Sequence, residues 1–195
     1  MARLGRDFFA RYSPRVAKEL IGCSLVRVVG GTRLSGVVVE TEAYRGSGDP
    51  ASHAHRGKTG RNEVMFGPAG FAYVYFTMGA HFCLNVTTER TGIAAAVLIR
   101  AVQPMEGMEE MGKNRGVAEQ TKVASGPGNL TKAFGVDRRL NGEDMVTSER
   151  LFFEAGQKVR NIGASSRVGV SAGKSFRWRF YVKGNPFVSK GRPSS

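Results

Sequence analysis

The chain's 195 residues suit a single domain able to bury roughly 70% of the surface its unfolded form exposes. Its 29 Lys and Arg against 16 Asp and Glu give a formal charge of +13. No run approaches the about 20 apolar residues of a membrane span. The N-terminal MARLGRDFFARYSP lacks the apolar stretch of a secretory signal. Two cysteines in no metal-like spacing, Cys23 and Cys83, fit a reduced cytoplasmic or nuclear setting. Such a cation excess suits a polyanion, nucleic acid above all; a membrane surface and plain solubility are the competing readings.

In chain order, Ser13-Pro14 predicts a helix start, N-cap followed by a first-turn proline, running to Gly22. Cys23 to Val29 and Leu34 to Glu42 predict two strands joined by a Gly30-Gly31 hairpin turn. The valine run at 37–39 favours a buried strand, because β-branched side chains fit a pleated surface. Glu40, Glu42 and Tyr44 alternate along it and therefore share one face. Arg45 to Pro50 is a turn, and it brings Ala51 and His53 in behind the carboxylates. Two readings stay open here: a solvated strand end, or a carboxylate and a ring arranged to hold a planar substrate.

His53 to Asn62, HAHRGKTGRN, is a basic glycine-bearing loop whose backbone and cations suit phosphate. His53 and His55 lack a third ligand at useful spacing, so no metal is expected. Phe71 to Thr77 and His81 to Thr87 predict a second hairpin across Met78-Gly79-Ala80. Tyr73 and Tyr75 lie on one arm and Asn85 on the other. The pair reads either as core strands or as an apolar wedge that enters a duplex groove.

Ala94 to Ala101 predicts a buried strand whose Arg100 needs a partner such as Glu42, since an unpaired buried charge is costly. A short helix is expected over Gln103 to Gly112, a mobile loop over Gly112 to Gly126, and a helix opened by Gly126-Pro127-Gly128. Leu151 to Glu154, Val168 to Ser171 and Trp178 to Val182 predict strands, and Ser189 to Ser195 a frayed, disordered basic tail.

Taken as an ordered set, the blocks ETEAY, DPASHAHRGKTGRN, MF-x-PAG-x-x-YVY, FCLNV, LIRAVQP, SGPGNLTKA, RVGVSAG and RFYVKGNPFVS resemble the alkyladenine (3-methyladenine) DNA glycosylases. The blocks span about Asp7 to Ser189. The resemblance implies an α+β fold, one compact domain over residues 1–195. Its curved mixed or antiparallel β-sheet would carry flanking helices and a protruding β-hairpin. It further implies a monofunctional, monomeric enzyme of DNA base-excision repair. Its partner would be double-stranded DNA, from which it removes 3-methyladenine, 7-methylguanine, hypoxanthine or ethenoadenine without cofactor or metal.

By motif match, Glu42 corresponds to the carboxylate that activates the water, with Arg100 and the Val168 carbonyl beside that water. Tyr44 and Tyr75 correspond to the rings bracketing the flipped base, with His53 and Ala51 on the remaining wall. Asn85 corresponds to the asparagine that opposes the guanine 2-amino group, and Thr59 and Arg61 to phosphate contacts. Met78 stands where many relatives carry an intercalating tyrosine. It is a usable apolar wedge that stacks less well than a ring. The non-enzymatic alternative, a basic module that only clamps nucleic acid, has no need of Glu42 with Arg100.

Overall fold

The computed structural model of the chain describes residues 1–77 and 79–191. Short helices α1 (Arg6–Phe9) and α2 (Ser13–Glu19) lead into β1 (Ser24–Val29) and β2 (Thr32–Arg45). The turn between the strands is Gly30-Gly31, with φ of 54° and 82°, the left-handed values a two-residue hairpin demands. A second hairpin joins β3 (Ala72–Thr77) to β4 (His81–Thr87), and β5 (Ala95–Glu106) lies between β4 and β2. Helices α3 (Met108–Arg115), α4 (Gln120–Val123) and α5 (Pro127–Ala133) follow, then β6 (Leu151–Glu154), β7 (Ile162–Ser165) and β8 (Arg179–Val182).

Among the described residues these strands form one eight-stranded sheet in the order β3-β4-β5-β2-β1-β6, with β8 on β2 and β7 on β8. Every pairing is antiparallel. β1 flanks β2 as far as Val37, and β8 takes over at Glu40 to Glu42. The sheet curls, and the result is the α+β architecture expected from the sequence.

Strand alternation sorts the sheet into two faces. Ala43, Val74, Leu84, Val86, Val97 and Ile99 point into the main core, where Val16 and Ala17 of α2 and Leu130 and Ala133 of α5 meet them, each nearly or fully excluded from solvent. Burying each such branched side chain contributes roughly 1.5–3 kcal/mol. The opposite face is left for polar and aromatic side chains, and it carries the site.

Several elements depart from the expectations. The α2 N-cap is Tyr12, one residue before the expected Ser13. β5 continues through Gln103 and Pro104 to Glu106, where a helix was expected; the helix begins only at Met108. Pro104 is tolerated because it pairs with Gly36 beside a register shift, where a lost N–H is cheap. The stretch expected as a loop after Gly112 instead holds the end of α3 and all of α4. Val168 to Ser171 is not a strand; the strand is Ile162–Ser165, and Val168 lies in the chain that returns past Glu42. Ser189 is buried and hydrogen-bonded rather than frayed, while residues 192–195 and Met78 lie outside the described residues.

Candidate active site

The site is assembled by register. Tyr73 of β3 pairs with Asn85 of β4, Asn85 with Leu98 of β5, Leu98 with Glu42 of β2, and Glu42 with Arg179 of β8. Directly opposed residues of antiparallel strands point to the same side, so this row crosses five strands on one face. A second row holds Tyr75 opposite Cys83, and a third Tyr44 opposite Ala96. Except for Glu42 and Arg179, these residues line a cavity of about 360 Å³, within the range of small-molecule sites. Its remaining wall comes from Pro50 to His53, Met65, Pro127 and the segment from Val168 to Ser171.

Between β2 and β5 the ladder is irregular. Val38 pairs with Val102, Glu40 with Ala101 and Thr41 with Ile99, which leaves Val39 and Arg100 without register partners. A bulge re-aims side chains, and here it carries the Arg100 guanidinium to two carboxylates. Arg100 Nε donates to Glu40 Oε1 at 2.8 Å, whereas its contact with Glu42 Oε2 is 3.4 Å. The expected Glu42 partnership is thus present but secondary.

Glu42 itself is wholly buried. Its Oε1 accepts the Val168 N–H at 2.7 Å, and its Oε2 accepts the Tyr44 hydroxyl at 2.8 Å as well as Arg100. Val168 thus meets the carboxylate through its N–H, on the same segment whose carbonyl the motif match sets beside the water. Burial, reinforced by the neighbouring Glu42 charge, pushes the Tyr44 phenol well above its ordinary value, so it remains a proton donor.

At the other wall, His53 Nδ1 shares a 3.0 Å hydrogen bond with the Tyr73 hydroxyl, and its ring stands edge-on to Tyr75 with centroids 4.5 Å apart. Partial desolvation, with Arg61 nearby, lowers the His53 pKa and favours the neutral imidazole. Burial pushes the Tyr73 phenol up to about 12 and raises Tyr75 as well, with Cys83 adding to the latter. Asn85 donates its amide to the Tyr73 carbonyl at 3.0 Å, which fixes the side chain against the cavity. Ala51 lines the same cavity, its N–H donated to Asp49.

Thr59 and Arg61 are exposed on the adjoining loop. Asn62 shapes that loop by accepting the Thr59 N–H at 2.7 Å and donating to the carbonyls of His53 and Gly57. The Arg61 guanidinium lies 5.3 Å from the Tyr75 ring centroid. Among the described residues, no three His, Cys, Asp or Glu side chains gather as metal ligands would.

Two groups escaped the sequence reading. Arg167, fully buried, forms two 2.7 Å bonds to the equally buried Asp49 and lies 4.6 Å from the Tyr44 ring centroid. The block RVGV drew attention to Val168, and nothing local marked its arginine as internal. Glu40 sat beside Glu42 in the motif, but its partners Arg179 and Ser189 are 139 and 149 residues away.

Residues 7–186 match the family described as Methylpurine-DNA glycosylase (MPG). A "Putative 3-methyladenine DNA glycosylase" of Carboxydothermus hydrogenoformans is 48% identical over 189 residues, covering 96% of this chain and 98% of the relative. Proteins described in the same words from Chlorobium phaeovibrioides and the archaeon Methanocella arvoryzae are 43% and 47% identical. The first of these matches over the full length of both chains, and the second covers 99% of this chain and 98% of the relative. The buried carboxylate at the head of an aromatic cavity therefore sits in a chain that belongs to the methylpurine-DNA glycosylase family, hydrolases acting on N-glycosyl bonds.

Proposed function

We propose that the cavity receives an alkylated or deaminated purine turned out of a DNA duplex, and that Glu42 directs the water that hydrolyses its N-glycosidic bond. The observation that carries this reading is Glu42 itself. It is a fully buried carboxylate whose three donors, Tyr44, Arg100 and Val168, all line the cavity. An ionised carboxylate offers about four lone-pair sites; three are engaged, and the fourth is the one the water takes.

Turning a base out of the stack costs a few kcal/mol, least for damaged or mispaired bases. Stacking on an aromatic ring returns roughly 1–3 kcal/mol per contact. In this reading Tyr44 and Tyr75 bracket the base, His53 and Ala51 close the wall, and Asn85 meets the edge where guanine carries its 2-amino group. A base made cationic by alkylation gains further from the rings' negative faces. Thr59 and Arg61 hold the phosphate backbone. Met78, the expected wedge, lies outside the described residues, while Phe76, two positions before it in the sequence, is exposed.

In the chemical step the C1′–N bond breaks and its electron pair leaves with the base. The sugar gains oxocarbenium character, which the Glu42 charge stabilises. Water adds to C1′ and its proton passes to Glu42. A cationic base leaves neutral; hypoxanthine or ethenoadenine needs a proton on departure. The product is an abasic site and a free base, and no lysine nucleophile is invoked. Substrates in this reading are 3-methyladenine, 7-methylguanine, hypoxanthine and ethenoadenine.

The test is Glu42→Gln, assayed under single-turnover conditions on duplexes carrying each lesion. Excision should collapse while binding to lesion DNA persists. Excision at near wild-type rate would overturn the assignment.

A further inference from the structure

We infer that Glu40 is a positioning residue for the reaction: it fixes the Arg100 guanidinium against Glu42, and the segment at Ser189 locks it in place. The inference rests on the role proposed above for Glu42.

Four ionisable side chains meet beside the cavity, which Arg100 lines, and each is 7% exposed or less: Glu40, Glu42, Arg100 and Arg179. Two charges of each sign balance, but the contacts are unequal. Glu40 Oε1 accepts Arg100 Nε at 2.8 Å, Arg179 Nε at 2.8 Å and the Ser189 hydroxyl at 3.0 Å, and its Oε2 accepts the Ser189 N–H at 2.8 Å. Arg100 reaches Glu42 only at 3.4 Å, through Nη1, while its Nη2 lies 3.3 Å from Ser189 Oγ. The short, well-placed bond on this guanidinium is the one to Glu40.

The backbone cannot do this work alone, because Arg100 sits at the register irregularity and lacks the ladder partner that would orient it. The following segment closes the arrangement. A Cβ placed on Gly191 would come 2.7 Å from Val168 Cγ1 and 3.4 Å from Arg100 Nη2, so the chain there lies against two of the three groups that hold Glu42. Glu40 does not itself line the cavity, whereas Arg100 does. It acts through Arg100.

Glu40→Gln tests this. The amide still accepts from the two arginines, but its NH₂ faces the Ser189 N–H, donor against donor. A misplacement of about 1 Å at a reacting group costs on the order of a hundredfold in rate, so single-turnover excision of hypoxanthine should fall by about that factor. Affinity for an abasic-site duplex should stay within about twofold. In an Arg100→Ala background, Glu40→Gln should cost less than about threefold, since the two act as one unit; a merely structural role would add its loss there. Ser189→Ala should lower excision about tenfold and reads the same device if Glu40→Gln does not fold. Excision near the wild-type rate in a folded Glu40→Gln, full additivity with Arg100→Ala, or an unchanged rate in Ser189→Ala would overturn the inference. Glu42→Gln, run alongside, separates the cases: if it excises normally, the proposed role of Glu42 fails first.

Discussion

The Arg167 guanidinium grips Asp49 with two 2.7 Å bonds while lying 4.6 Å from the centroid of the Tyr44 ring. Both members of the pair are fully excluded from solvent, and Arg167 Nη1 also donates to the Ala43 carbonyl at 3.0 Å. The pair thus ties the loop after β2 to the chain carrying Val168, and backs the ring on which a base would stack. Breaking a buried pair from one side leaves an uncompensated charge, at about 3–5 kcal/mol. Asp49→Ala should lose roughly that much stability in urea unfolding.

The proposed function gives Tyr44 two jobs that one substitution can part. Tyr44→Phe keeps the ring and removes the 2.8 Å bond its hydroxyl donates to Glu42. Lesion-duplex affinity should hold within about threefold. Single-turnover excision should drop about ten- to a hundredfold, since a hydrogen bond to a charged group contributes about 1.5–3 kcal/mol. Loss of affinity with an unchanged rate would reverse the assignment.

Asn85 is held against the cavity by its bond to the Tyr73 carbonyl. Asn85→Ser shortens the side chain and opens space on that wall. Excision of mismatched guanine should rise by about tenfold or more relative to hypoxanthine, measured by competition between the two duplexes. An unaltered ratio would remove Asn85 from the specificity argument.

Glu40 links the site to acid stability. Burial opposes its ionisation, but Arg100 and Arg179, with Ser189, outweigh burial and hold its pKa below the ordinary 4.5. A carboxyl with a depressed folded pKa binds fewer protons folded than unfolded. Its stabilisation is therefore complete above about pH 4.5 and is lost as pH falls through the folded value. Glu40→Gln should flatten the fall in unfolding free energy below pH 4.5, beyond the offset it causes at pH 7.

Arg61→Ala tests the proposed phosphate contact apart from the base contact. Binding to duplex should weaken steeply with salt, because neutralised phosphates release counterions. Arg61→Ala should make the slope of log affinity against log salt shallower by about one. An unchanged slope would place the arginine off the DNA.

The sequence carried those features that depend on neighbours along the chain. The alternation in FAYVYFT and HFCLNVT marked β3 and β4, and Gly30-Gly31 marked the first hairpin. The shared face of Glu42 and Tyr44 followed from strand period alone and brought both to one site. What depended on register or on distant partners stayed hidden. Pro104 masked the continuation of β5, and the IGAS of β7 is too short and too small to stand out. The irregularity at Val39 and Arg100 has no local signature, so Glu40 could not be seen as the arginine's main partner. Nor could Arg167 and Asp49, 118 residues apart, be paired by reading along the chain.

The links that converge on Glu40 close loops of 60, 139 and 149 residues. Such contacts form late, because the entropy of bringing distant segments together must be overcome before they reward it. A nascent chain that has emerged only through β6 holds the basic loop, both hairpins and the aromatic rings, yet neither Arg179 nor Ser189 has arrived. A chain without the segment after β6 lacks two of the three residues that hold Glu40.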